Sequence, residues 1–260
     1  MVLIHGLASN MTRWSEFVER TALTNDWDIL RLDLRGHGQS MTRGRIGMDE
    51  WCRDLATILE HEHYRQAYLV GNCLGANIAL QFATRYPDKT AGLVLVEPIL
   101  QPALAGTMKR LQLLKPLFHL AIWLIRLLNS LGLYRRRLTS LDLRRLDEDT
   151  RAAIAAAGGD THLIVSRYSA PWYDILYLPS ANYLQFLLEV VRPPPPLAAI
   201  KVPTLTLISL GTDFSDPVIT RQLVGAIPRS QVVVIESRHW MMTEKPEEAR
   251  RAIERWFANV

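Results

Sequence analysis

A mostly parallel α/β sheet, covered by helices on both faces and interrupted by one helical insertion, is the fold class this 260-residue sequence predicts. Three observations predict it. Short β-branched or leucine-rich runs alternate with amphipathic stretches at both ends of the chain, and parallel pairing requires such helical crossovers. Between residues 101 and 197 the texture changes, with Leu, Arg and aromatic residues recurring at helical spacing and little strand-like alternation. That stretch closes on Arg192-Pro193-Pro194-Pro195-Pro196, a stiff spacer that suits neither helix nor central strand.

The elements follow in order. Val2 to His5 predicts a strand, Trp14 to Leu23 a helix, Asp28 to Asp33 a strand, Met48 to Glu62 a helix and Ala67 to Gly71 a strand. Leu74 to Tyr86 predicts a helix and Leu93 to Glu97 a strand. After the insertion come a strand at Thr204 to Leu210, a helix at Pro217 to Ala226, a strand at Gln231 to Glu236 and a closing helix from Lys245 to Asn259. The domain reading is a core of residues 1–100 and 198–260 with a helical cap at 101–197. Ligands of such sheets gather at the carboxyl ends of the strands.

Composition narrows the class. A chain with 48% hydrophobic and 22% charged residues builds an ordinary core, which excludes disorder and mini-protein readings. No stretch reaches the roughly 18 to 20 uncharged apolar residues of a bilayer span. Two cysteines, Cys52 and Cys73, make no disulfide framework and point to a reducing, cytoplasmic compartment. No basic segment followed by an apolar signal precedes Val2. Of the charge, 12 Lys and Arg against 7 Asp and Glu fall in 101–197, leaving 18 against 19 elsewhere, so a basic insertion covers a near-neutral core.

The sharpest local pattern is Gly71-Asn72-Cys73-Leu74-Gly75, set between a strand and a helix. Glycine on both flanks suits a tight strand-to-helix turn that strains and exposes its middle residue. A thiol there sits at the positive end of a helix dipole, and the N–H of Leu74 can face an oxyanion. The bland alternative is a small buried cysteine in an ordinary glycine turn.

The pattern resembles the nucleophile turn of the α/β-hydrolase superfamily, and further motifs extend the resemblance over nearly all of the chain outside the insertion. His5-Gly6-Leu7 is similar to the family's oxyanion turn, which makes the Leu7 N–H the second donor beside Leu74. Asp33-Leu34-Arg35-Gly36-His37-Gly38-Gln39-Ser40 resembles its signature turn. Gly211-Thr212-Asp213 followed by Pro217, and Glu236-Ser237-Arg238-His239-Trp240, resemble the turns of the triad acid and histidine. The resemblance implies a triad of Cys73, Asp213 and His239. Asp216 is the competing acid, because the Gly211 to Asp213 spacing is one residue shorter than usual, and Glu97, at its own strand end, comes third. The chain opens at the family's third strand of eight, which implies that the first two strands are missing, that the natural reading frame begins earlier and that Asp28 to Asp33 is an exposed edge.

The other candidates read more simply. His37 holds a turn, His61 and His63 end a solvated helix, and Cys52 fills core. No histidine pair has metal-ligand spacing with a third ligand nearby, so neither metal nor cofactor is expected. No Lys-Ser/Thr pair follows Gly75 to make a phosphate loop, and no nucleic-acid partner is expected.

Cysteine in place of the family's usual serine resembles dienelactone hydrolases and polyhydroxyalkanoate synthases. It implies cleavage of an ester or thioester through an acyl-enzyme. Transfer or cyclisation onto an alcohol or amine is the alternative, and a non-catalytic ligand-binding member is a third. The run Leu117 to Leu133, apolar nearly all round and flanked by Tyr134-Arg135-Arg136-Arg137, reads as a cap helix over the site or as a peripheral contact with an anionic membrane. Either favours a hydrophobic acyl group, free or bound to CoA or a carrier, with Trp123, Trp172, Tyr173 and Tyr183 as candidate pocket residues.

Overall fold

The computed structural model describes the backbone of residues 1–260 and every side chain but that of Leu163. Six parallel strands, β1 (Val2–Ile4), β2 (Leu30–Arg31), β3 (Ala67–Asn72), β4 (Thr90–Val96), β5 (Thr204–Ser209) and β6 (Ser230–Ile235), form one sheet in the order β2-β1-β3-β4-β5-β6. The crossovers are α1 (Ser15–Arg20), α2 (Met48–His61), α3 (Leu74–Arg85) and α10 (Pro217–Val224), and α11 (Met241–Glu244) and α12 (Pro246–Phe257) close the chain. Between β4 and β5 lie α4 (Gly106–Leu111), α5 (Lys115–Ser130), α6 (Leu143–Ala156), α7 (His162–Tyr168), α8 (Pro171–Tyr177) and α9 (Ser180–Val190).

Strand alternation builds two cores. Leu69, Leu93 and Leu95 point to the face covered by α2 and α3, where Trp51, Leu55, Ile78 and Phe82 are buried. Their neighbours Val70, Val94 and Val96 point to the other face, against Trp14 and Phe17 and against Ile253, Trp256 and Phe257 of α12. Because both faces are covered, the central strands are continuously apolar rather than alternating.

Three expectations change. The stretch from Asp28 to Asp33 pairs over two residues only, so the sheet edge at β2 is too short to template association. The helix expected over Trp14 to Leu23 breaks into α1 and flanking 3₁₀ turns at 11–14 and 22–25, because the side chains of Asn10 and Thr21 cap two new starts. Gly106–Ser130 forms one helical run of 25 residues with mean hydropathy 1.5, long and apolar enough to cross a membrane by length and composition.

Apolar packing at one end and a buried ion pair at the other are among the ties between the insertion and the core. Helix α9 buries Phe186, Leu187 and Val190 in the same cluster as Trp51 and Leu74. Phe186 stacks on His37 with ring centroids 4.0 Å apart. At the opposite end, buried Arg13 donates to Asp147 of α6 (2.5 Å) and to Thr243 of α11 (3.0 Å), and Tyr168 of α7 donates to Asp147 (2.6 Å). Removing the carboxylate strands a buried guanidinium. Asp147→Ala is therefore expected to cost about 3–5 kcal/mol, read as a lowered urea midpoint.

Candidate active site

The elbow is built by glycines that nothing larger can replace. Cys73 has φ 54° and ψ −114° between the end of β3 and the start of α3, a conformation that costs of order 1–3 kcal/mol and persists only where its surroundings impose it. They do so by close approach. A Cβ on Gly71 would lie 2.3 Å from the backbone of Gly75, one on Gly75 would lie 2.3 Å from the carbonyl oxygen of Ile4, and one on Gly6 would lie 3.1 Å from the Cβ of Cys73. The start of α3 thus rests directly on β1. Gly75→Ala is expected to destabilise the fold by about 3 kcal/mol, since backbone rather than a movable side chain blocks the methyl group, and a thermal melt checks it.

His5 fixes the facing turn. Buried completely, it accepts from the Leu34 N–H at Nε2 (3.0 Å), so its Nδ1–H donates to the Gly6 carbonyl (2.9 Å). Asp33 holds the next turn, accepting from the backbone N–H groups of Met11 (2.7 Å) and Gln39 (2.8 Å). Burial lowers His5 to about 4 and holds His37, 4.8 Å away, well below the usual imidazole value. Above pH 6.5 both folded and unfolded chains carry neutral His5. As pH falls from 6.5 toward 4 only the unfolded chain gains the proton, and about 3 kcal/mol is lost. The urea midpoint is expected to drop across that window, with a smaller drop in His5→Asn.

His239 lies past the end of β6, 7% exposed, and Glu97 lies past the end of β4, 6% exposed. The Nδ1 of His239 and the Oε2 of Glu97 are 3.0 Å apart. Glu97 is itself held in a left-handed conformation (φ 51°), its N–H donating to Leu207 (2.9 Å) and its Oε1 accepting from the Ser209 N–H. Its side chain thereby crosses the mouth of β5 to reach the imidazole. Burial opposes charge on His239, but interaction with Cys73, hydrogen-bonded to the ring, and with Glu97 outweighs it and raises His239 to about 10. Parallel order puts all three residues on one sheet edge, and the edges of Phe214 and Trp240 close against the imidazole at 4.7 and 5.7 Å.

The carboxylate expected on His239 is elsewhere. Asp213 Oδ1 pairs with Arg238 Nη1 at 3.0 Å, because the short Gly211 to Asp213 turn delivers it to the residue beside the histidine. Asp216 is the N-cap of α10, accepting from the N–H groups of Val218 (2.8 Å) and Ile219 (3.1 Å). Neither reaches His239, and Glu97, the last of the three carboxylates weighed from sequence, does. Leu7 lines the same cavity as Cys73 and Leu74 follows it in the chain, and among the described residues neither backbone N–H donates to another protein group.

Cys73 and His239 open into a cavity of about 640 Å³ roofed by the insertion. Trp172 and Tyr173 are among its lining residues, but Trp123 is not: it is 60% exposed on the outer face of α5. Tyr183 is buried behind the wall, hydrogen-bonded to Asp174, which does line the cavity. Burial raises Asp174 to about 7, the Tyr183 hydrogen bond partly offsetting it. Asp174, Arg13 and Tyr168 join the lining unanticipated; only the adjacency of Asp174 to Trp172-Tyr173 could have signalled it. Cys52 is fully buried on α2, its thiol pushed up to about 12 by burial. Among the described residues no group of three or more metal-ligating side chains forms.

Similarity to known proteins agrees with this architecture. A family model for the alpha/beta hydrolase fold matches residues 1–246. The chain is 30% identical over 97 residues, 37% of its length, to the dihydrolipoyllysine-residue acetyltransferase component of an acetoin cleaving system from Pseudomonas putida, and that match covers 26% of the relative. It is 33% identical over 95 residues, 36% of each chain, to a 2-succinyl-6-hydroxy-2,4-cyclohexadiene-1-carboxylate synthase from Enterobacter. The matches thus span about a quarter to a third of these relatives. Over 99% of its length it superposes with a TM-score of 0.62 and 22% identity on a thermophilic esterase from Thermogutta terrifontis, covering 88% of that chain. With the sheet order and the family match extending through the strand end that carries His239, this chain belongs to the α/β-hydrolase fold family.

Proposed function

We propose that the protein cleaves an ester or thioester of a hydrophobic acyl group through a Cys73–His239–Glu97 triad. The single observation that carries the reading is the placement of His239, hydrogen-bonded to Glu97 at Nδ1 and to Cys73 on its other side. His239 takes the thiol proton as the Sγ of Cys73 attacks the acyl carbonyl, and the electron pair of the C=O moves onto oxygen. The N–H groups of Leu7 and Leu74 stabilise that charge, each by about 3 kcal/mol. As the tetrahedral intermediate collapses, His239 donates its proton to the leaving alkoxide or thiolate, and a thioester remains on Cys73. His239, neutral again, takes a proton from water as it attacks the thioester; the bond to Sγ breaks, Cys73 recovers the proton from His239, and the carboxylic acid leaves. Glu97 fixes the imidazole tautomer and balances its charge throughout.

The cavity supports the substrate class. Leu141, Leu143, Leu146 and Trp172 present apolar surface beside the thiol, and the helical insertion acts as a cap over it. A thioester intermediate also exchanges with thioester donors, so CoA- or carrier-bound acyl groups fit. Transfer of the acyl group to an alcohol or amine is the second reading, favoured by the acetyltransferase component among the relatives.

Incubation with CoA thioesters from acetyl to dodecanoyl, followed by intact mass and free-thiol assay, tests both. An acyl adduct or thiol release that disappears in Cys73→Ala is expected, and an ester or amide product on adding an alcohol or amine marks transfer. Neither adduct nor release at any chain length, with p-nitrophenyl esters of the same acids also left uncleaved, overturns both readings and leaves the chain a ligand-binding member of its fold.

A further inference from the structure

We infer that α4 and α5 form an in-plane anchor that docks the protein on an anionic lipid bilayer. The helical run Gly106–Ser130 has two apolar stripes at helical spacing. Met108, Leu111, Phe118 and Ile122 face inward against the core cluster and α9. Leu113, Leu117, Leu120, Leu124 and Leu127 face outward with Trp123 and Leu128 beside them, and Leu113 is 81% exposed. Among the described residues of the run, Ile122 alone is buried. A helix about 37 Å long with an uncovered leucine face is not a finished surface for water.

Charge decides what covers it. From Pro98 to Leu141 there is not one Asp or Glu, while Lys109, Arg110, Lys115, Arg126, Arg135, Arg136 and Arg137 give seven cations. Lys115 and Arg135 are bonded to the backbone carbonyls of Val191 (3.2 Å) and Leu178 (2.9 Å). Lys109 and Arg110 at one end of the run, and Arg136 and Arg137 beyond the other, are exposed. A second copy seated on this face would oppose the exposed Lys109, Arg110, Arg136 and Arg137 of one copy to those of the other, with no acid in the segment between them. Lipid phosphates would instead meet them at both ends of a leucine face, the pattern of an interfacial helix.

The run lies along the bilayer rather than across it. β4 precedes it and β5 follows it, and these strands pair in parallel from Leu93 with Thr204 to Val96 with Leu207. One crossing would put paired strands on opposite sides of the membrane, and among the described residues there is no second such helix to bring the chain back.

Co-sedimentation tests this without any catalytic readout. The wild-type protein is expected to pellet with vesicles of about 70:30 phosphatidylcholine:phosphatidylglycerol at low salt, to be released as salt screens the cations, and to stay in solution with pure phosphatidylcholine. R136A/R137A is expected to weaken binding about 25-fold, about 5-fold per arginine. L120E/L127E, placed on exposed positions, is expected to lose it. No sedimentation with anionic vesicles at low salt, or binding unchanged in L120E/L127E, overturns the inference. So does a dimer in sedimentation equilibrium that L120E/L127E dissociates while vesicles are ignored. Should L120E/L127E fail to melt like wild type, R136A/R137A decides alone.

Discussion

Glu97→Gln is expected to lower turnover of an acyl thioester by about 10³- to 10⁴-fold, whereas Asp213→Asn stays within a few-fold of wild type. The size follows from what the carboxylate does. Replacing the acid behind a catalytic histidine with its amide leaves the shape intact but offers an N–H where the imidazole N–H must be accepted, which selects the wrong tautomer. Glu97 is positioned for that role, with Oε2 3.0 Å from Nδ1 of His239 and Oε1 anchored by the Ser209 N–H. Asp213 spends its carboxylate on Arg238 at 3.0 Å, partly exposed, where loss of a pair costs about 1 kcal/mol or less. Steady-state kinetics of the two amide variants check both halves, and the acid residue is misassigned if Asp213→Asn is the crippled one.

His239→Ala is expected to slow carbamidomethylation of Cys73 by iodoacetamide at pH 7, because it removes the base placed to take the thiol proton. Cys73 contributes more than Glu97 to raising His239 to about 10, so in Cys73→Ala burial lowers the imidazole with Glu97 alone opposing it. The pair's contribution to folding is complete below pH 6.5, the value of a free imidazole, and is lost as pH rises through 10. Cys52, sealed beneath α2 with its thiol near 12, is expected to stay unlabelled in both proteins and serves as the internal control. Peptide mapping of the modified cysteines reads the result.

Much of this was legible in the sequence because it depends on short-range rules. The alternation of Leu69, Val70 and their counterparts sorts itself onto two faces, and Gly71 and Gly75 mark a turn whose close contacts admit no side chain. What was not legible depends on reach in three dimensions. Asp213 follows the right strand in the right order, yet which carboxylate meets His239 is decided by the backbone bend at Glu97 and by Arg238 standing beside Asp213. Likewise the apolar spacing of Phe186, Leu187 and Val190 announces a helix but not that His37 and Trp51 wait beneath it. Trp123 was expected at the pocket for being aromatic, and only the packing of α5 on α9 turns it outward.

The most direct measurement is the low-field ¹H resonance of the His239 Nδ1 proton, which needs no substrate. The triad of Cys73, His239 and Glu97 predicts that it is present in wild type and in Asp213→Asn, vanishes in His239→Ala, and shifts upfield or exchanges away in Glu97→Gln. A resonance that survives in Glu97→Gln and disappears in Asp213→Asn would contradict the assignment.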